Sequence, residues 1–372
     1  MASTRKLFQP SEGLAARPVS LRTRDPIARL PVELSSDIFL RAASNAQASS
    51  VFMRVSRAWN HIALGTPPLW TTLSNDGIPA SKLPELLKIW FARGRALPVS
   101  LSLGPTQASA FLRTVEVLAN NSQRVQTLHV YIPGGCIEEI SCISFGALRH
   151  LTIDASEDES AGPSAALISL LRGAPNLVEC HLNDVFYVWH DHSLDGLESI
   201  THSSLQHLLF GKRQDGFKCT TASPVALSRL KLPSLGTLLV FFTDDHTYTE
   251  TDLLTFLTHS GRGCLVSNTL TELEILHPRN LAQSLFEALD GNVDLLPHLQ
   301  RLHIRGYLVG YHLPEPQHIF NALNTRRDSL KSFTICVVDE QEAFFGSVAT
   351  LLRPFADEGV DVYIGTLFKN FV

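Results

Sequence analysis

An α/β solenoid, with parallel strands inside and helices outside, preceded by a small bundle of three helices, is the fold this sequence predicts. Three observations carry the prediction. One short leucine-rich string returns eight times at nearly regular spacing. The stretches between its copies have the apolar periodicity and stop residues of helices. The first seventy residues lack the string and carry amphipathic segments punctuated by prolines instead.

The string is clearest in Leu148-Arg-His-Leu151-Thr-Ile153 and Leu299-Gln-Arg-Leu302-His-Ile304, and it recurs around Leu208, Leu238, Leu273 and Phe333. Looser copies centre on Leu128 and Cys180. The central positions are therefore 128, 151, 180, 208, 238, 273, 302 and 333, with neighbours 23 to 35 residues apart. Leucine-rich repeats recur about every 20–29 residues, and longer connections stretch that period. The alternating apolar pair at the end of each copy reads as a short strand with one buried face. The leading leucine packs at the strand's entry. An ordinary α/β sheet also alternates strands with helices, but nothing in it requires one string eight times over.

Between the strings, Ser164 to Gly173 predicts a helix with Leu167, Leu170 and Leu171 on one face and glycine as its stop. Thr249 to Gly261, Leu281 to Gly291, Gln317 to Arg327 and Gln341 to Phe355 repeat the pattern. One such unit has too small a core to stand alone, so neighbours must stack. Leu97 to Leu103 alternates cleanly and is expected to be the first strand. Val360 to Ile364 alternates without the full motif, as terminal repeats that cap a stack often do.

The amino-terminal module begins Ile27-Ala-Arg-Leu30-Pro31, where proline suits the start of a helix. Leu34, Ile38 and Phe39 then share a face. Phe52, Val55, Trp59 and Ile62 form a second stripe, ended by Gly65 and by Pro67 and Pro68. About 45 residues can hardly bury so many large side chains unaided, so a partner or the repeat array must cover some of them. The order L-P-x-E-L-x-x-x-I-F, then V-S-R-x-W-x-x-I-A, then T-P-x-L-W resembles the F-box, in the form common among fungal proteins, over Ile27 to about Thr72. That module often precedes leucine-rich repeats. The resemblance implies a Skp-type adaptor as partner and, through it, a cullin–RING ubiquitin ligase. Its contact residues would be Leu30, Pro31, Leu34, Ile38, Val55 and Trp59. The competing expectation is a non-enzymatic repeat scaffold without a ubiquitin role, its helices merely capping the array.

The expected division is a disordered basic arm over 1–25, the helical module over 26–75, a connecting helix or linker over 76–96 and the repeat array over 97–372. The arm carries Arg5, Lys6, Arg17, Arg22 and Arg24 against Glu12 alone, without the apolar core of a secretory signal. Pro10, Gly13 and Pro18 also interrupt the amphipathic helix of a mitochondrial transit peptide.

A formal net charge of −5 gives the chain no bulk attraction to nucleic acid or anionic membrane, and no run is long and apolar enough to span one. Six scattered cysteines without a C-x-x-C pair read as free thiols of a reducing compartment, cytoplasmic or nuclear. Catalytic motifs are missing, and Gly211 to Gly216 lacks the K-[ST] of a phosphate loop. His190, Asp191, His192 and Asp195 are the densest group of metal-ligand types, but their spacing gives no third histidine and a solvated loop is expected. No cofactor and no metal are expected.

Residues flanking the central apolar position should point to the concave face, and five of the 15 histidines fall in those columns. Leu209, Leu239 and Phe241 would form an apolar centre there, beside Glu272, Glu274, Arg301, His303 and Arg305. That layout suits an unknown protein target, or the opposite charges simply pair across neighbouring strands.

Overall fold

Where apolar residues alternate with polar ones over five or six positions, one face of the segment can be buried and the other left wet, and parallel pairing satisfies the backbone. A computed structural model describes residues 27–43, 48–75, 78–105, 107–133, 136–155, 164–183, 199–211, 230–241, 253–254, 256–257, 269–276, 281–306, 314–337, 342–366 and 369–372. They divide into two compact units at Leu69 and Trp70.

The first unit holds a 3-10 turn at Ile27–Arg29 and helices α1 (Val32–Ala42), α2 (Ala48–Val55) and α3 (Arg57–Leu64). Pro31 occupies the cap position of α1 with φ −51° and ψ 144°, immediately before the helix proper. The stripe that α1 buries runs through Ser35 and Phe39, while Leu34 and Ile38 face outward, which corrects the expected face. Ser35 is tolerated inside because its hydroxyl donates to the Ile27 carbonyl at 3.1 Å. The second amphipathic stretch is two helices, not one. Ser56 adopts an extended conformation (φ −154°, ψ 167°), and its hydroxyl caps α3 by accepting from the Trp59 amide at 3.2 Å. The break turns Val55 outward and leaves Phe52 and Trp59 packed on Phe39, with ring centroids 4.5 to 6.1 Å apart.

The second unit is built on an eleven-stranded, wholly parallel sheet. Its strands are β1 (Thr72–Ser74), β2 (Val99–Leu103), β3 (Val125–Ile132), β4 (His150–Ala155), β5 (Glu179–Asn183), β7 (His207–Phe210), β9 (Thr237–Phe241), β10 (Glu272–Leu276), β11 (Arg301–Gly306), β12 (Ser332–Val337) and β13 (Asp361–Gly365). They stand in chain order. The short strands β6 (Ile200–Thr201) and β8 (Leu230–Lys231) pair with each other in a second sheet. Thr72–Ser74, not Val99–Leu103, is thus the first strand. Three residues, with one leucine between two polar neighbours, are too short to show a period.

Helices fill most connections: α4 (Leu83–Arg93), α5 (Ala108–Ala119), α6 (Ile137–Ser141), α7 (Ser164–Gly173), α8 (Leu281–Gly291), α9 (Pro316–Asn324) and α10 (Glu342–Asp357). Of the helix expected over Thr249 to Gly261, only Leu253, Leu254, Phe256 and Leu257 are described, and they are helical. The basic arm, the His190–Asp195 group, the turn after Gly211, Cys219 and Cys264 lie outside the described residues.

The register explains the repeated string. Leu73, Leu101, Leu128, Leu151, Cys180, Leu208, Leu238, Leu273, Leu302, Phe333 and Val362 pair strand to strand as one unbroken row. All are buried. A second row from Leu103 to Ile364 lies two residues further on, and the leading leucines, from Leu148 to Leu330, are buried at the strand entries. Each fully buried leucine contributes roughly 1.5–3 kcal/mol. At β13, residues after the strand cover its edge. Asn370 bridges to Gly365, the Phe371 amide donates to the Ile364 carbonyl at 2.9 Å, and Phe371 stacks on Phe345. A Cβ at Gly365 would collide with the Lys369 carbonyl, so glycine permits that closure.

Candidate interaction surfaces

Helices that keep apolar side chains on their outer faces lose hydrophobic stabilisation unless something covers them. In the first unit Leu30, Pro31, Leu34, Ile38 and Val55 are exposed, Leu34 and Val55 by 53% and 54%. Val32, Leu40, Val51 and Leu64 are exposed as well. Eight of the eleven large apolar side chains exposed among the described residues therefore lie between positions 30 and 64. Trp59 differs from the other residues singled out there. Its ring packs on Phe39 at 4.9 Å, half-buried, and its Nε1 is buried without an acceptor among the described residues. It is chiefly a core residue.

The second surface is the sheet face opposite the leucine rows, where alternation sends the residues on either side of the central position. His129, His150 and His207 are exposed, while Glu179, His181, Leu209 and Leu239 are half-buried. Phe241, expected at the centre of this surface, is only 4% exposed. Gly211, with φ +93°, lies so close that a Cβ there would sit 2.5 Å from the Phe241 Cβ. The approach of that glycine covers the ring and removes Phe241 from the exposed centre, leaving Leu209 and Leu239.

The charges beyond the apolar centre pair with one another. An Arg301 Nη2 donates to a Glu272 carboxylate oxygen at 2.9 Å, and Arg305 Nε lies 3.6 Å from Glu274. Exposed cross-strand pairs of this kind are worth about 0–1 kcal/mol. His303 shares a 3.0 Å hydrogen bond with the Thr334 hydroxyl, and its burial pushes the imidazole below its ordinary range against the opposing pull of Glu274. The outward positions of β12, Ser332, Thr334 and Cys336, are buried.

A polar chain crosses the other side of this face. Ser102 Oγ lies 3.4 Å from His129 Nδ1, His129 Nε2 lies 2.5 Å from an Asp154 oxygen, and Asn183 Nδ2 donates to the other Asp154 oxygen at 2.9 Å. Beside it, His181 Nε2 is 2.8 Å from Glu179. Asp154 and Asn183 stand one alternation step beyond the flanking columns, and extending the period by two residues would have found them. Serine, histidine and aspartate in sequence suggest a nucleophile and its base. Among the described residues, however, the strand amides nearby are paired within the sheet and the Asn183 amide donates to Asp154, so the geometry shows no pair of donors converging beside the Ser102 hydroxyl. The chain is a hydrogen-bonded surface network.

Among the described residues no group of three or more histidine, cysteine, aspartate or glutamate side chains is placed to hold a metal ion. No described helix is long and apolar enough to cross a membrane. Cys136, Cys180 and Cys336 are buried free thiols, and burial pushes Cys180 up to about 12. In the leucine row it serves as a small apolar filler. No family model and no curated protein matches this chain.

Proposed function

We propose that this protein is the substrate-recognition subunit of a cullin–RING ubiquitin ligase. Its first unit acts as an F-box that binds a Skp-type adaptor, and its second unit is a leucine-rich-repeat solenoid whose exposed sheet face binds a protein target. The observation that carries the reading is the concentration of exposed apolar side chains on α1 and α2, at Leu34, Ile38 and Val55 among others. Single exposed leucines are ordinary, but a cluster on so short a segment marks a surface that is covered by a partner. The order of motif residues from Leu30 to Trp70, which resembles the F-box, supports a Skp-type adaptor as that partner. The row of eleven paired apolar residues supports the repeat reading, since each strand–helix unit contributes one rung to a shared core.

A pull-down of the full chain with a purified Skp-type adaptor tests the proposal. Wild-type chain is expected to retain the adaptor. Leu34→Asp combined with Val55→Asp is expected to lose it while melting at the wild-type temperature, because both side chains already face water. Trp59→Ala is a poor control, since it removes part of the aromatic core. Failure of the wild-type chain to retain the adaptor rejects the ligase reading.

A further inference from the structure

We propose that the exposed sheet face takes an extended peptide segment with an apolar anchor two to four residues from an arginine or lysine. The anchor seats on Leu209 and Leu239, and the cation lies beside Asp154 and Glu179. The inference rests on reading this face as the target-binding surface, and it specifies the chemistry of the target.

Charge distribution across the face decides it. On the β10–β11 side, Glu272 and Glu274 are matched by Arg301 and Arg305 at 2.9 and 3.6 Å, so their fields cancel. On the β3–β5 side, the outward strand positions are Thr127, His129, Tyr131, His150, Thr152, Asp154, Glu179, His181 and Asn183, with no lysine or arginine among them. With histidine counted as neutral, those described positions hold two carboxylates and no lysine or arginine to balance them. Asp154 and Glu179 are already oriented by contacts with His129, Asn183 and His181, which fix their position. A carboxylate accepts at about four lone-pair sites, so each keeps capacity for an incoming donor. Between the two sides lie Leu209 and Leu239, paired in register on β7 and β9. Half-buried leucines beside an uncompensated anionic strip complement an apolar residue next to a cation.

The spacing follows from the sheet. Neighbouring strands stand about 4.8 Å apart, and an extended peptide advances about 3.3 Å per residue. Glu179 is on the strand beside Leu209, and Asp154 is one strand further. An anchor over β7 or β9 therefore places its cation about two to four residues away.

The test uses three fluorescein-labelled twelve-residue peptides, each with a central Leu-Leu and, three residues on, Arg-Arg, Ser-Ser or Glu-Glu. Each is titrated with the full chain and followed by fluorescence anisotropy. The Arg-Arg peptide is expected to bind at least tenfold tighter than the Glu-Glu peptide at low salt, with a smaller ratio at high salt. Asp154→Asn with Glu179→Gln is expected to bring the ratio within twofold at an unchanged melting temperature. Leu209→Ser is expected to weaken every peptide, and Glu116→Gln on α5 to change nothing. A wild-type preference that is missing, reversed or retained by the double variant overturns the proposed chemistry, while peptide binding at Leu209 keeps the surface itself. Absence of binding by all three peptides overturns the target-surface reading too, whatever the adaptor pull-down shows.

Discussion

Arg326 follows α9, only 3% exposed, and its guanidinium donates to the carbonyls of Leu289, Asn292, Leu295 and Ala322. Three of those acceptors lie at or just after the end of α8, where the last carbonyls have no intrahelical partner. Burial pushes the guanidinium down to about 10, still well above neutrality. Arg124 repeats the device just before β3, the third strand from the other end of the sheet, donating to Phe91 and Leu97 at the close of α4. His202 sits 2.9 Å from the Ala174 carbonyl after α7. None of the three was legible in the sequence, because their acceptors are backbone carbonyls that carry no residue identity. Arg326→Leu is expected to lower unfolding free energy by about 3 kcal/mol, since it strands several buried carbonyls at once. Arg326→Lys should recover only part, because an ammonium lacks the planar fork. Urea titration reads both, and a loss under about 1 kcal/mol for the leucine variant would show that water replaces the clamp.

At the scale of elements, the strands that carry the string were readable, while the short β1, β6 and β8 and the helical faces of the first unit were not. Alternation predicts one buried row per strand, and each of the eight strings lies in that row without a slip. In α1, the pairs Leu34/Ile38 and Ser35/Phe39 have identical spacing, and the more apolar pair faces outward. Side-chain hydrophobicity alone then points to the wrong face of α1. The stripe through Phe52, Val55 and Trp59 hid the Ser56 break because a capped junction can preserve helical spacing. Between α8 and α9, geometry sets a pH dependence. His318 Nδ1 lies 2.7 Å from Asp290, whose carboxylate also accepts from Asn321. The hydrogen bond from His318 holds Asp290 below its usual range, and the same bond holds His318 above its own. The histidine's contribution is complete below about pH 6.5 and fades as pH rises through the raised folded value. The aspartate's contribution is complete above about pH 4 and fades as pH falls through the depressed folded value. The melting temperature of His318→Gln should therefore fall furthest below wild type near pH 5–6, and the gap should close toward pH 9. A gap that does not vary with pH rejects the linkage.

For the whole second unit, the ordering of strands governs how damage spreads. Each strand of the large sheet pairs only with its predecessor and successor in the order of the sheet, so a change in one strand reaches its two neighbours first. The core is then a sum of neighbouring interfaces, and cooperativity has to pass from rung to rung. Leu302 tests how far it passes. Its side chain is fully buried between Leu273 on β10 and Phe333 on β12. Leu302→Ala is expected to cost about 3 kcal/mol through lost burial and a residual cavity. If coupling decays along the row, hydrogen exchange should accelerate at least tenfold in the amides of β10 to β12 and stay within twofold of wild type in β2 to β4. Equal acceleration in every strand would instead mean that the row unfolds as one unit. The closure of the β13 edge by Asn370 and Phe371 favours the local outcome, because an end anchored by its own contacts can hold while the middle opens. Loss of exchange protection should therefore centre on Leu302 and fall off toward β13, rather than fray inward from the end.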